Sequence, residues 1–349
     1  MNDDKYNVYD NLNKNISALD TILDEAIRNG NFAKAATNKK NKSLFILLFV
    51  IFTILCVIFA ILYVNVIKPA SSYKNANELI DSENYKEAIQ LLDELGDYKD
   101  SYSKKAIAEA EIIKTSNVGD EVLFGIFDLD GNNDNGLEGI PWIVVEKNAN
   151  GEVLLLSKYV IARSTFTSGD SENVWGDSDF RKAVRDSENI LFNSYERKYI
   201  VEKEIDTPCY HQVYAYPGES KDKTWWKEKK YKSYTSKERV FILSFDEVKK
   251  YDMWIDGIPS PALEKFNEGF EGDEKLFMED GKCPYALRTN IKYEDIDEEE
   301  NYYEVSYLLG GRDYFHDDEP WQELGYLYYE DEYEEPVGCR PAVWINPTK

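Results

Sequence analysis

From Leu44 to Val64 the chain carries no charged side chain, and Thr53 is its one aliphatic hydroxyl. A bilayer core is crossed by about 20 consecutive apolar residues in helical form, because no water is present there to satisfy an open backbone. The run predicts a transmembrane helix within residues 43–67, with membrane lipid as its partner. A buried core helix of this length would carry a polar face or caps, and none is present. A cleaved signal peptide fits no better. A long polar segment precedes the run, and Ile61, Leu62, Tyr63 and Val64 offer no small-residue cleavage site.

Lys34, Lys39, Lys40 and Lys42 crowd the N-terminal flank, whereas only Lys68 lies close on the other side. The positive-inside rule then predicts a single-pass cell-membrane protein, with residues 1–42 as a cytoplasmic tail and the C-terminal part extracellular. In the tail, Ile16, Leu19, Ile22, Leu23, Ala26 and Ile27 recur at helical spacing up to Asn29-Gly30. This reads as one short amphipathic helix, a kind that is marginal in water by itself.

The exported part is not disordered, since 43% of the whole chain is hydrophobic. A formal net charge of -25 excludes a general nucleic-acid binder, because most of the surface repels phosphate. Four cysteines, with Cys56 inside the apolar run, are too few for a disulfide scaffold. Packing must hold the domain together. The many Lys, Asn, Ile and Tyr residues resemble the usage of low-GC Gram-positive bacteria.

Between Ser71 and Ile113 apolar residues return at helical intervals, with breaks at Asp81 to Asn84 and at Gly96-Asp97. Two or three short helices over residues 70–116 are expected. The run from Asn84 to Ser101, with Tyr85, Ala88, Ile89, Leu95 and Tyr98, resembles a tetratricopeptide-like piece. Only about one repeat is present where an array needs three or so, so the expectation is a stalk packed on the next domain.

From Asn117 short runs rich in Val, Ile, Tyr and Phe alternate with Gly, Asn and Asp, a strand-and-turn texture. Glu121 to Phe127, Trp142 to Glu146 and Val153 to Ser157 predict three consecutive antiparallel strands, with Asn150-Gly151 as a hairpin turn. Val240 to Phe245 and Ala342 to Ile345 read as buried strands, and Ser178 to Arg185 and Glu196 to Glu204 as helices. Residues 117–349 are expected to form one extracytoplasmic α+β domain.

The motifs from Gly119 to Gly125, Glu138 to Val144 and Leu154 to Ser157 resemble the opening of an uncharacterised domain family of the Firmicutes. Trp175 to Arg181, Val240 to Ser244, Leu287 to Thr289 and Val337 to Trp344 resemble its later signatures, in the same order. The closing Arg340-Pro341-Ala342 is similar to that of C-type-lectin-like and formylglycine-generating-enzyme-like domains. The resemblance implies a C-type-lectin-like mixed fold and carries no activity with it. Where the family has paired tryptophans before its Leu-Arg-Ser, this chain has Tyr285-Ala286.

Three constellations bear on function. Asp128, Asp130, Asn132 and Asp134 alternate in a Gly- and Asn-rich loop, the way oxygen ligands converge on calcium. The sixth and twelfth positions of that pattern hold Asn133 and Gly139 instead of Gly and Glu, so a polar hairpin connection is expected and calcium is the alternative. Arg181, Arg288 and Arg340 sit inside apolar motifs and predict structural ion pairs, with Glu138 and Asp179 as candidate partners. Trp225, Trp226, Trp254 and Trp321, with Tyr302, Tyr303, Tyr328 and Tyr329, could offer ligand-binding faces, and a basic patch from Lys221 to Lys237 surrounds the first pair.

Enzymatic chemistry has little support. Neither His211 nor His316 lies in a hydrolase or zinc-protease motif, and the contexts of Cys283 and Cys339 differ from a copper-thiolate site. The reading that results is a membrane-anchored extracytoplasmic binding or interaction module of a Gram-positive-like envelope, with an envelope glycan or protein as ligand and no cofactor unless calcium. An envelope enzyme using carboxylates, and a sensor signalling through the transmembrane helix, are the alternatives.

Overall fold

The computed structural model describes residues 21, 42–132, 134, 136–165, 174–214, 229–251, 257–272, 275–276, 278, 280–295, 303–310 and 336–349. By contacts these fall into two compact units, divided between Ser72 and Tyr73. The tail helix expected over 16–27 lies outside the described residues, apart from helical Thr21.

α1 spans Lys42–Leu62 and runs through a π-helical segment, Tyr63–Ile67, into α2, Lys68–Asp81, whose residues from Tyr73 onward are counted with the second unit. Among the described residues one helix, Phe45–Asp81, is long and apolar enough to cross a membrane, and its apolar window buries nothing in protein. Phe45 to Phe52 all stand exposed, a surface that suits apolar surroundings. Thr53 satisfies its hydroxyl within the helix by donating to the Val50 carbonyl at 2.8 Å. The π turn has a local cause: Pro69 has no N–H and its ring crowds the carbonyl four residues back, so the ladder widens just before it. Lys68 N–H bonds Tyr63 O across this wider turn, and Asn65 turns its amide to the Ile61 carbonyl at 2.8 Å.

In the second unit, α3 (Tyr85–Leu95) and α4 (Ser101–Thr115) form a helical hairpin. Ala88, Ile89 and Leu92 on α3 and Ala106, Ala110 and Ile113 on α4 are buried. Ile113 belongs to the same apolar core as the strands that follow. The helices and the strand-rich part are therefore one compact unit, and the boundary expected near residue 116 falls inside it.

The first sheet has the order β1 (Glu121–Phe127), β2 (Glu138–Lys147), β3 (Val153–Ser157), β13 (Ala342–Ile345), β8 (Val240–Phe241), all antiparallel. The three strands expected at its start are present and adjacent. Their turn follows from chemistry: Asn148 Oδ1 accepts from the N–H groups of Asn150 and Glu152 at 2.9 and 3.0 Å, and Gly151 takes the positive φ of 78°. Val153, Leu154, Leu155 and Leu156 are all buried, which is why β3 reads as an unbroken apolar run. Fully burying one such side chain is worth about 1.5–3 kcal/mol. Trp142 packs on Phe192 and donates its indole N–H to the Phe124 carbonyl at 2.7 Å. At the β1 bulge Gly125 adopts φ 78°, and a Cβ there would stand 2.4 Å from the Leu191 carbonyl.

The second sheet has the order β5 (Ala162–Ser164), β12 (Val337–Cys339), β10 (Tyr285–Asp295), β6 (Lys203–Tyr214), β7 (Lys229–Glu238), with β11 (Tyr303–Gly310) also on β10. β10 is parallel to β12 and β6, and the other pairings are antiparallel. A parallel pair, β4 (Tyr159–Val160) with β9 (Ile258–Pro259), completes the strands. Short helices lie between: α5 (Val174–Asp177), α6 (Asp179–Asp186), α7 (Glu188–Leu191), α8 (Phe245–Tyr251) and α9 (Pro261–Asn267). Ser178 caps α6 by accepting from Arg181 N–H at 3.1 Å, and Ser260 caps α9 from Leu263 N–H at 3.2 Å with Pro261 opening the first turn.

The domain is thus mixed helix and sheet with mainly antiparallel strands. Two local expectations are corrected. The helix expected over Glu196 to Glu204 is one 3-10 turn, Glu196–Lys198, because β6 claims the chain from Lys203 for pairing with β7. The strand expected over Val240 to Phe245 stops at Phe241, since Phe245 opens α8 with its N–H held by the Thr289 hydroxyl at 2.8 Å.

Candidate functional site

Helix α6 is short, and its polar face is crowded. Arg181, Lys182, Arg185 and Asp186 follow at spacings that place them on neighbouring faces of one and a half turns. Across from them run the end of β7 and the start of β8, where Lys237 and Arg239 flank Glu238. Between these walls lies a cavity of about 540 Å³. Five of its lining side chains are basic (Arg181, Lys182, Arg185, Lys237, Arg239) and five acidic (Asp177, Asp179, Asp186, Glu188, Glu202). Among the described residues Val240 is the one large apolar side chain in the lining.

The charges fall into two groups. Those at the base are tied down. Arg181 Nε donates to Glu238 Oε1 at 2.7 Å and its Nη1 to the Gly176 carbonyl at 2.8 Å. Arg239 Nε reaches both oxygens of Glu188 at 2.9 and 3.0 Å, and Nη2 the Arg197 carbonyl at 2.7 Å. Glu238 is almost wholly buried, and its second oxygen has only Arg185, 3.7 Å away. At the rim, Lys182, Lys237, Asp186 and Glu202 are exposed and form no ion pair among the described residues. Such a site has paired charges at its base and exposed charges at its mouth, suited to binding a small polar molecule by charge-assisted hydrogen bonds.

The residues singled out in the sequence are distributed as follows. Arg181 is part of the cavity, and its carboxylate is Glu238, with neither Glu138 nor Asp179 in that role. Arg288, 1% exposed, makes a two-pronged pair with Glu247 and donates Nε to the Asp206 carbonyl at 3.1 Å. Arg340, 2% exposed, meets no carboxylate among the described residues, which corrects that expectation. Its Nε donates to the Ser157 carbonyl at 2.9 Å, and its guanidinium lies 5.2 Å from the Tyr285 ring centre. The crossing from β12 to β13 passes between sheets here, and a carbonyl and a ring face are what it meets.

Glu138 belongs to the acidic loop. Oxygens of Asp128, Asp130 and Glu138 lie within 4.8 Å of one another, the one such group of three found among the described residues. Each is also engaged: Glu138 accepts from Leu129 N–H at 2.8 Å, Asp128 from Gly131 N–H at 2.7 Å, and Asp130 from Asn132 N–H at 2.8 Å. Asn132 accepts from Asp134 N–H at 3.2 Å, so these two build the turn and stay outside the triad. Three carboxylates could hold a cation, but calcium takes about 6–8 oxygens. Trp225, Trp226, Trp254 and Trp321, and Tyr302, Tyr328 and Tyr329, lie outside the described residues; Tyr303 starts β11.

Cys209, Cys283 and Cys339 are buried and form no disulfide among the described residues. Burial pushes Cys283 and Cys339 up to about 12, which disfavours the thiolate, the reactive form in thiol–disulfide exchange. Sequence reading missed Glu238, Lys237 as a wall of the cavity, and the role of Glu202. The signal for Lys237 and Arg239 was their spacing of two along an extended segment. Glu202 joins them only through the β6–β7 register, which places Lys203 opposite Glu238.

Comparison of the chain with protein-family models, with curated proteins and with solved structures finds no match.

Proposed function

We propose that this protein is a membrane-anchored binding module, N-terminus in the cytoplasm, whose exported unit offers the charged cavity beside α6 to a small polar ligand from the envelope. The cavity carries the reading: ten ionisable side chains line about 540 Å³, with the base fixed by ion pairs and the rim left open. Ligand pockets of about 300–1,000 Å³ are the usual size for small molecules. A C-type-lectin-like arrangement of the domain belongs to the same proposal, supported by the resemblance around Arg340-Pro341-Ala342. The lysines before α1 support the orientation.

The test uses full-length protein in lipid nanodiscs and a panel of small charged compounds, read by thermal unfolding. A ligand at 100 times its Kd stabilises by about 2.7 kcal/mol, which moves a melting midpoint by degrees. At least one compound should raise the midpoint of the wild type and not of Lys182→Gln/Lys237→Gln. Both lysines are exposed, so the double substitution should leave the unliganded midpoint within about 0.5 kcal/mol of wild type. A panel without effect, or equal effects on both proteins, rejects the cavity as a binding site. For orientation, external protease should remove the part after Pro69 from protoplasts; protection of that part would reverse it.

A further inference from the structure

Resting on the reading of the cavity as a binding site, we infer that its ligand is a small zwitterion, a molecule with one carboxylate and one ammonium such as a free amino acid or a short peptide. The charge count is the first ground. The lining is balanced in sign, whereas the chain as a whole carries a net charge of -25. A simple anion would approach against the field of the whole protein and then meet Asp186 and Glu202 at the rim. A simple cation would meet Lys182, Arg185 and Lys237. A molecule with both signs has no net repulsion to overcome and satisfies both sets.

The second ground is placement. Each wall presents exposed charges of both signs: Lys182 and Arg185 with Asp177, Asp179 and Asp186 on the side of α5 and α6, and Lys237 with Glu202 on the other. On α6, Lys182 and Asp186 stand one turn apart without pairing. On the opposite side Lys237 comes from β7, and Glu202 precedes β6 at the level of Arg239. By contrast, Arg239 and Glu188 at the base have closed on each other at 2.9 Å, which leaves Lys182, Asp186, Lys237 and Glu202 as charges that a ligand can meet. The third ground is what the lining lacks. Among the described residues Val240 is the one large apolar side chain of the lining and none is aromatic, so affinity from this lining must come from charged hydrogen bonds.

Glycylglycine, its N-acetyl derivative and its C-terminal amide are titrated into full-length protein in nanodiscs by calorimetry, with acetate and methylammonium as single-sign controls. Glycylglycine should bind saturably, and each capped derivative at least tenfold more weakly. In Lys182→Gln/Lys237→Gln the amide should bind as well as the free dipeptide, and in Asp186→Asn/Glu202→Gln the N-acetyl form should. Capped derivatives binding as tightly as glycylglycine to the wild type would overturn the inference. If acetate or methylammonium binds saturably and glycylglycine does not, with that binding lost in a rim variant, the cavity remains a binding site and the zwitterion is rejected. If no probe binds, the zwitterion is rejected, and the cavity as a binding site then stands or falls on the wider panel of charged compounds.

Discussion

Glu109 lies one helical turn beyond Lys105, 3.5 Å from its ammonium, and both side chains are shut off from water. Asp93 of α3 stands 2.8 Å from the same ammonium, and Glu196, from the 3-10 turn in the α+β part, 3.9 Å away. One lysine thus joins the helical hairpin to the strand-rich part through three carboxylates, two of them buried. Burial pushes Glu109 well above the usual carboxylate range and raises Glu196 in the same direction. For Lys105 burial acts downward, but Glu109 and Asp93 outweigh it and the net is upward.

The sign of the pH dependence follows. A carboxyl raised in the folded state binds more protons folded than unfolded, so its contribution is full below the unfolded value near 4.5 and is lost as pH rises toward the folded value. Thermal unfolding in detergent should therefore show a midpoint that declines as pH rises above the unfolded value near 4.5. Glu109→Gln, which mimics the protonated acid, should flatten that decline. An unchanged slope in the variant would show that Glu109 is ionised in the folded protein.

The buried cysteines give a second expectation. The thiolate is the reactive form, and Cys283 and Cys339 are pushed up to about 12 while closed off from solvent. In a Cys56→Ser background, a water-soluble maleimide should leave the folded protein unlabelled and modify Cys209, Cys283 and Cys339 after unfolding without reductant. Labelling of Cys283 in the folded protein, or failure of both Cys283 and Cys339 to react once unfolded, would contradict the arrangement.

Asp128, Asp130 and Glu138 supply too few oxygens for tight calcium binding, and each already accepts a backbone N–H. Calorimetry should find no submicromolar calcium site, and Asp130→Ala should not change the response of the melting curve to calcium. Submicromolar binding abolished by that substitution would displace the turn reading.

How much of this was legible beforehand depended on whether the cause was local. β3 from Val153 to Leu156 and β13 are apolar runs because nearly all of their side chains are buried, and the Asn150-Gly151 turn is closed locally by the Asn148 side chain. Ser178 likewise announces α6 by capping it. The segment after Glu196 misled because buried Glu196 and Ile200 stand four apart, a helical interval, while Ile200 in fact bridges Ile345 across the sheet. The cavity needed two distant walls. Spacing along α6 displays Arg181, Lys182 and Arg185, but no local pattern places Lys237 and Glu202 opposite them. Glu138 was expected beside an arginine, and only closure of the loop at residues 128–138 brings it to Asp128.

Arg288 and Arg340 were read alike in the sequence, and the structure separates them. Arg288 holds Glu247 with two bonds and also donates to the Ile242 and Asp206 carbonyls. Arg340 donates to the Ser157 carbonyl and faces the Tyr285 ring. Arg288→Met leaves a partly buried carboxylate without its partner and two carbonyls without a donor, a loss of about 3–5 kcal/mol for a broken buried pair. Arg340→Met removes one hydrogen bond to a neutral oxygen, about 1–3 kcal/mol when the acceptor is left unsatisfied. Part of that is recovered, because a flexible thioether keeps contact with the ring and a buried charge with one unpaired nitrogen is gone. Arg288→Lys should rescue only partly, since a single ammonium cannot span both carboxylate oxygens. Urea unfolding of the full-length protein in detergent, with the same m-value required for each variant, ranks the two. The midpoint should fall clearly further for Arg288→Met than for Arg340→Met; equal losses, or the reverse order, would show that the guanidinium of Arg340 is held by more than Ser157 and Tyr285.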